Sequence, residues 1–254
     1  MLADEGFDGF EEKDSSVKTF MDESKFEQEK FNSLVQMIGV KPIVSVVAEE
    51  NWNAKWEADF EPVEVLKESG EPFVFLRADF HKPNDRFTYD IVVTPKMSFG
   101  TGHHATTYMM IAEMSTIDFR GKSVIDFGTG TGVLAILAEK QGAASVTAVD
   151  CDDWSIENAK ENFSRNSCTR INLLKGETIP ADMQADVVLA NINLNIITDN
   201  IRRIKASLKE GAAVLFSGIM AADEKNIMDV IENAGLKIEN TVRRNGWLAL
   251  YTVN

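Results

Sequence analysis

The chain has 254 residues, 44% hydrophobic and 26% charged, enough to bury a real core and to divide into two unequal domains. Its net charge of −14 argues against direct nucleic-acid binding, which needs clustered Lys and Arg, and suits a basic protein partner by charge complementarity. Two cysteines without Cys-x-x-Cys spacing, a His103-His104 pair with no spaced third ligand, no leader-like start and no membrane-length apolar run together predict a soluble cytoplasmic protein with no metal and no membrane partner.

Residues 1–50 read as a small α/β module. Phe7 to Phe10 and Val17 to Met21 predict short strands, and Ile43 to Val47 a further one. Ser24 is placed to cap a helix over Lys25 to Met37, with Phe26, Phe31, Leu34, Val35 and Ile38 on its apolar side. Met1 to Lys30 carries ten Asp/Glu against four Lys, a local net of −6. A solvated helix face explains most of that acidity; a substrate-facing patch is the sharper reading. Residues 51–64 follow as a linker helix, because Trp52, Trp56 and Phe60 recur at four-residue spacing and Pro62 ends the pattern. Ordinary packing accounts for that aromatic face, and a packed linker fixes how its neighbours sit.

From Val63 to Val93 the pattern is strand-rich, with Phe73 to Leu76 and Ile91 to Val93 the clearest runs. Pro95 to Thr107 is a polar loop of small, hydroxylated and aromatic residues, suited to closing over a ligand, and it leads into a helix from Tyr108 to Glu113. The most informative run comes next. Val124 to Phe127 reads as a buried parallel strand, Gly128, Gly130 and Gly132 as a turn, and Val133 to Ala138 as the start of a helix. A second strand, Ser145 to Val149, ends on Asp150, where a carboxylate can accept both hydroxyls of a ribose. Strand, glycine turn, helix, strand and acid describe a nucleoside-cofactor site; the plain alternative is an ordinary strand-to-helix turn.

The spacing is Gly-x-Gly-x-Gly, with Val133 where the dinucleotide fingerprint needs its third glycine. Asp126, just before the turn, would repel a pyrophosphate and suits a ligand with a cationic ammonium. A methyl donor such as S-adenosylmethionine, which carries a sulfonium and no phosphate, therefore fits better than a dinucleotide.

Further strands are predicted at Ile171 to Leu174, Asp186 to Asn191 and Ala212 to Ser217, with helices over 154–165, Asp199 to Glu210 and Ala222 to Asn233. Leu236 to Val242 and Trp247 to Val253 form a closing hairpin around Asn245-Gly246. The result is a seven-stranded doubly wound α/β sheet, mostly parallel, with one antiparallel strand from that hairpin; this is the class I methyltransferase architecture. Ligands of such sheets bind at the carboxyl ends of the strands, the rim reached by Gly128 to Gly132, Asp150 and Asn191. A carboxamide oxygen at Asn191 can accept a hydrogen bond from a substrate amine and turn its lone pair toward the methyl group; the plain alternative is an asparagine satisfying a turn. His103, His104 and Tyr108 are candidate helpers, and no base is assigned.

The chain resembles the bacterial ribosomal protein L11 methyltransferase family. The resemblance rests on Asn51-Trp-Asn-x-x-Trp56-x-x-x-Phe60-x-Pro62-Val63, on Met97 to Gly102 with His104, Thr106 and Thr107, on Val124 to Gly128, and on Ala190-Asn-Ile192. It implies methyl transfer from S-adenosylmethionine to the N-terminal α-amine and lysine side chains of ribosomal protein L11. It further implies a small α+β, ferredoxin-like substrate-recognition domain over 1–50, the linker, and a catalytic domain over 65–254. By matching position it implies cofactor contacts at Thr107, Gly128, Asp150 and Asn191, with Phe99 and Gly130 as pocket neighbours and Asn191 in the catalytic role. Three local departures occur: Thr94-Pro95-Lys96 stands where Asp-Pro-Gly is usual, His103-His104-Ala105 where Thr-His-Pro is usual, and Thr129 where Cys is frequent. The chain also opens almost on Gly6 to Phe10, where the family has an earlier strand and helix, so an incomplete first domain with an open sheet edge is expected. The competing readings are a class I methyltransferase for another protein or small molecule, and a nucleoside-binding module without catalysis.

Overall fold

The computed structural model describes residues 6–13, 16–46, 60–94, 96 and 98–254, and divides the chain into the units Met1–Asn51 and Trp52–Asn254. In the first unit β1 (Asp8–Lys13) and β2 (Ser16–Phe20) pair antiparallel, with an irregularity between Asp8 and Phe10. The helix starts later than Ser24 predicts: α1 spans Gln28–Ile38. Asp22 instead caps a single 3-10 turn at Glu23–Lys25, its carboxylate accepting the Ser24 N–H at 2.8 Å and hydroxyl at 2.6 Å. Ser24 therefore lies inside that turn and caps nothing. Gly39, at φ 73°, ends α1 in the left-handed conformation that glycine adopts without steric cost.

The strand expected over Ile43 to Val47 is not formed at 43–46, where Ile43 is 96% exposed; Val47 lies outside the described residues. Alternating apolar residues make a strand only where an edge is free to pair, and no described strand pairs with them. The linker helix, with Trp52 and Trp56, lies outside the described residues as far as 59. Its expected end is not helical. Phe60 is buried in coil with its ring 4.9 Å from His103 and edge-to-face, and Val63 already begins a strand. Pro62 lacks the N–H a helix would use, and the β-branched Val63 and Val65 favour extension.

The second unit opens with β3 (Val63–Leu66), β4 (Pro72–Arg77) and β5 (Tyr89–Val92), a small sheet in which β3 is antiparallel and β5 parallel to the central β4. After α2 (Ala105–Met114) come β6 (Ser123–Phe127), α3 (Val133–Lys140), β7 (Ser145–Asp150), α4 (Asp153–Arg165), β8 (Ile171–Lys175) and β9 (Ala185–Asn191). Then follow α5 (Leu194–Ala206), β10 (Leu208–Met220), α6 (Glu224–Asn233), β11 (Lys237–Arg244) and β12 (Trp247–Val253). Seven strands join in the order β11-β12-β10-β9-β6-β7-β8, parallel except for β12, which runs antiparallel to both neighbours. The doubly wound sheet and its inserted antiparallel strand are as the sequence predicts.

Three elements start three or more residues before the sequence predicts, each for a local reason. Helix α2 starts at Ala105 because His104 Nδ1 caps it, accepting the Thr106 N–H. Asn193 Oδ1 accepts the Ile196 N–H at 3.0 Å, so α5 starts at Leu194 and not near Asp199. Strand β10 begins at Leu208 because it runs through Gly211, at φ 68°, with a register shift before Ala213.

Alternate residues of the strands feed two cores. Val124, Leu189 and Leu215 pack with α2 to α4 and the small sheet on one face; Ile125, Val188 and Phe216 pack with α5 and α6 on the other. Strand β6 pairs with β7 on one side and β9 on the other. The chain reverses its direction of winding there, which is where open α/β sheets form their crevice.

Candidate active site

The turn between β6 and α3 lies at that reversal. Gly128, Gly130 and Gly132 all hold positive φ, at 78°, 54° and 81°. A Cβ on Gly128 would lie 2.2 Å from Ile192 Cγ2, and one on Gly130 would lie 2.3 Å from the Phe99 carbonyl oxygen. The first two glycines thus bring the turn against the ends of neighbouring segments, while Gly132 makes room for Phe163 of α4. Val149 C=O accepts the N–H groups of both Gly128 and Thr129, tying the turn to the end of β7.

Asp150 ends β7 beside this turn. Its Oδ2 accepts the Gly130 N–H at 2.8 Å and its Oδ1 accepts the Asp152 N–H at 3.1 Å. Both oxygens are oriented by backbone, and each retains a lone pair. Asp126 behaves differently from the expectation of a direct ammonium partner. It is fully buried beneath the turn, with Oδ2 accepting the Thr129 hydroxyl at 2.6 Å and Oδ1 without a partner. Burial pushes its carboxyl up to about 7, aided by the negative charge of Asp150 and opposed by the Thr129 hydroxyl. Because Asp126 has no exposed surface, it cannot touch a ligand directly.

A pH prediction follows from that burial. The folded protein keeps the Asp126 proton up to about pH 7, whereas the unfolded chain releases it near pH ~4. The native state binds the extra proton between those values, so this group makes stability fall as pH rises through the window. Asp126→Asn should flatten that part of the profile, raising the urea midpoint relative to the parent at pH 8 more than at pH 5. Parallel profiles for the two proteins would place the ionisation elsewhere.

The third group is Asn191 at the end of β9. Its Nδ2 donates to Thr107 Oγ1 at 3.3 Å, and its buried Oδ1 has no partner. Ile192 is held on both sides: its N–H donates to Ser217 C=O, and a Cβ on Gly218 would lie 2.4 Å from its carbonyl oxygen. The carboxamide is thereby aimed from a fixed backbone, with α2 holding its nitrogen end.

Three rings line this side of the rim. His104 lies 5.1 Å from Phe99 and 4.7 Å from Trp247, edge-on to both, and Phe99 is 51% exposed. His103 is engaged with Phe60, and Tyr108 lies under the Arg244 guanidinium at 3.7 Å. Both are held in packing contacts.

The expected residues gather in two linked groups. Gly128, Gly130, Asp150 and Phe99 meet at the glycine turn, and Thr107 and Asn191 meet at the end of β9, with Ile192 joining the groups through Gly128. Sequence reasoning gave no site role to Trp247, Gly218 or Thr131, and carried Ile192 only within the Ala190-Asn-Ile192 motif. Trp247 carries no motif, and only the hairpin register brings it opposite Met220 at this rim. It also passed over Asn158, Asn162 and Asn166, whose four-residue spacing marks a polar stripe along one face of α4. Among the described residues no cluster of three or more His, Cys, Asp or Glu could hold a metal ion.

A family model described as ribosomal protein L11 methyltransferase matches residues 6–254. The ribosomal protein L11 methyltransferase of Porphyromonas gingivalis is 35% identical over 257 residues, covering 98% of this chain and 87% of that protein. The protein of the same description from Chlorobaculum parvum is 35% identical over 263 residues, covering 98% of this chain and 89% of that protein. Among solved structures, a ribosomal protein L11 methylase from Lactobacillus delbrueckii subsp. bulgaricus matches with a TM-score of 0.67 and 29% identity, over 75% of this chain and 98% of that one.

Proposed function

Since this chain belongs to the ribosomal protein L11 methyltransferase family, we propose that it moves methyl groups from S-adenosylmethionine to the N-terminal α-amine and lysine ε-amines of ribosomal protein L11. The observation that carries the reading is the Asn191 carboxamide, anchored through its nitrogen to Thr107 and leaving a buried acceptor oxygen at the rim. An unpaired buried acceptor costs about 1–3 kcal/mol, which a substrate N–H offsets.

The cofactor's chemistry fits the residues present. S-adenosylmethionine supplies a methyl group on a sulfonium, an electrophile that needs alignment more than activation. Gly128 and Gly130 keep side chains out of its way, Asp150 accepts from ribose hydroxyls, and Phe99 and Thr107 border the pocket. Asn191 Oδ1 accepts one N–H of the neutral amine, directing its lone pair at the methyl carbon. When bound, the cofactor would supply the methyl group and keep the C–S bonding pair on sulfur, and the methylated ammonium would lose a proton to solvent. A lysine must shed a proton first, from a reference pKa of ~10.4; desolvation in the site lowers that value, so no dedicated base is assigned.

The first unit, residues 1–50, is the docking element in this reading, linked through 51–64 to a catalytic domain over 65–254. Its acidic stretch suits a basic ribosomal protein. No helix among the described residues is long and apolar enough to cross a membrane, and modification of a ribosomal protein is cytoplasmic work.

The test is an intact-mass assay with S-adenosylmethionine and unmethylated recombinant ribosomal protein L11. Stepwise single-methyl additions are expected, with peptide mapping to the N-terminus and lysines. Cofactor binding by calorimetry without transfer would overturn the acceptor and leave a methyltransferase for another substrate. Absence of both would leave a protein that binds elsewhere.

A further inference from the structure

We propose that Thr131 and Asn162 are positioning residues that seat the segment 98–102 on the glycine turn, and so set how tightly the cofactor is held. The inference rests on the cofactor reading above. Thr131 is fully buried and uses all three of its polar groups. Its N–H donates to Phe99 C=O at 2.9 Å, its hydroxyl donates to Gly100 C=O at 2.9 Å, and its C=O accepts from Asn162 Nδ2 at 2.8 Å. Asn162, also fully buried, closes the circuit: its Oδ1 accepts the Thr94 N–H at 2.8 Å. Thr94 on one side and Phe99 with Gly100 on the other are therefore fastened to one point, the Thr131–Asn162 pair.

The neighbours reinforce this point. Asn158 Oδ1 accepts from Asn162 Nδ2 at 3.1 Å, and Asn166 exchanges hydrogen bonds with both backbone groups of Val92, at 3.0 and 2.7 Å. On the outer side Glu161 accepts from Lys96 Nζ at 2.6 Å and from the Thr94 hydroxyl at 3.0 Å. Helix α4 thus presents successive turns of amides to the segment leading into the site.

The seating is polar. A Cβ on Gly100 would lie 2.7 Å from Thr131 Oγ1, so the Gly100 backbone rests directly against the Thr131 hydroxyl with no side chain of its own between them. The Phe99 ring remains half exposed, and its burial cannot be what holds the segment down. Hydrogen bonds of this kind contribute modestly and individually, so removing one should loosen the segment without unfolding the sheet. Only a primary carboxamide of this length donates to Thr131 and accepts from Thr94 at once, which is why aspartate cannot replace Asn162.

The decisive variant is Thr131→Val, which keeps the shape and both backbone bonds and removes only the hydroxyl; Thr131→Ser restores it. For Thr131→Val we expect S-adenosylmethionine affinity by calorimetry to fall about tenfold, KM for the cofactor to rise in step, and kcat at saturation to change far less. Amide exchange should accelerate in peptides covering 98–102 and stay at parent rates in β6 and β9. Asn162→Asp should give the same pattern. Unchanged affinity and exchange in Thr131→Val, or equal losses in Thr131→Ser, would overturn the proposal. Neither readout needs an acceptor protein, so a wrong acceptor leaves the outcome intact. If the parent itself binds no cofactor, the cofactor reading fails and the exchange data alone decide the seating.

Discussion

Asn191→Ala is expected to slow methyl transfer by about a hundredfold or more while cofactor affinity changes by less than about tenfold. The split follows from what the side chain touches. Its nitrogen donates to Thr107, and its buried oxygen has no partner within the protein, which leaves it available to a substrate amine in the proposed reading. A positioned polar group that orients or stabilises the reacting centre contributes about 10²–10³ in rate, and misplacing a nucleophile by about 1 Å costs a similar factor. In the proposed reading the cofactor rests mainly on the glycine turn and Asp150, with Asn191 one contact among several, so affinity should fall far less than rate. Single-turnover transfer measured beside calorimetry separates the two effects. Equal losses in both would make Asn191 a cofactor ligand and remove its role in aiming the amine.

Gly130→Ala is the second large effect. At φ 54° an alanine costs about 1–2 kcal/mol, and its Cβ would also meet the Phe99 carbonyl oxygen at 2.3 Å and its carbon at 3.3 Å. Those are backbone atoms and cannot swing aside as a flexible side chain would. Either the segment at Phe99 lifts or the turn moves away from Asp150. Both displace the cofactor pocket, and a loss of about a hundredfold in cofactor affinity is expected. Gly121→Ala is the matched control: it carries a left-handed φ of 71° with nothing within 4 Å. It should lose some thermal stability and keep parent affinity. Parent-like affinity in Gly130→Ala would mean that the segment yields freely and the contact constrains nothing.

The core of this site was legible because its signals are strong and local. A buried parallel strand shows as an unbroken apolar run, and glycines at alternate positions punctuate it. Strands β6 and β7 accordingly start and end where the residues between Ser123 and Asp150 predict. The hairpin turn was equally plain, with Asn245 and Gly246 both at positive φ, as its two-residue type requires. Asn193 was visible as a residue type, but whether an asparagine caps a helix or faces a ligand depends on the three residues after it. Asp126 was judged by charge alone, and burial reversed its direct role. The pairing of Thr131 with Asn162 joins residues far apart in the chain, and periodicity within one element carries no such information. Ser24 shows the opposite error, a good capping residue drawn into a turn by the Asp22 just before it.

The inserted strand also dictates an order of assembly. β12 follows every other strand of the sheet in the chain, yet it sits inside the sheet, and among the described residues β11 pairs with β12 alone. While a ribosome is still making Trp247–Val253, β10 presents an unsatisfied row of amides and carbonyls along one edge, and β11 has no place to go. The nascent domain is then an open parallel sheet of five strands, a template for pairing with a neighbouring nascent chain. Closure requires β11 and β12 to form their short-range hairpin and dock as a unit onto β10, a step whose speed depends on the Asn245-Gly246 turn. Substitutions in that turn would therefore act first on the yield of folded protein during synthesis, well away from the chemistry.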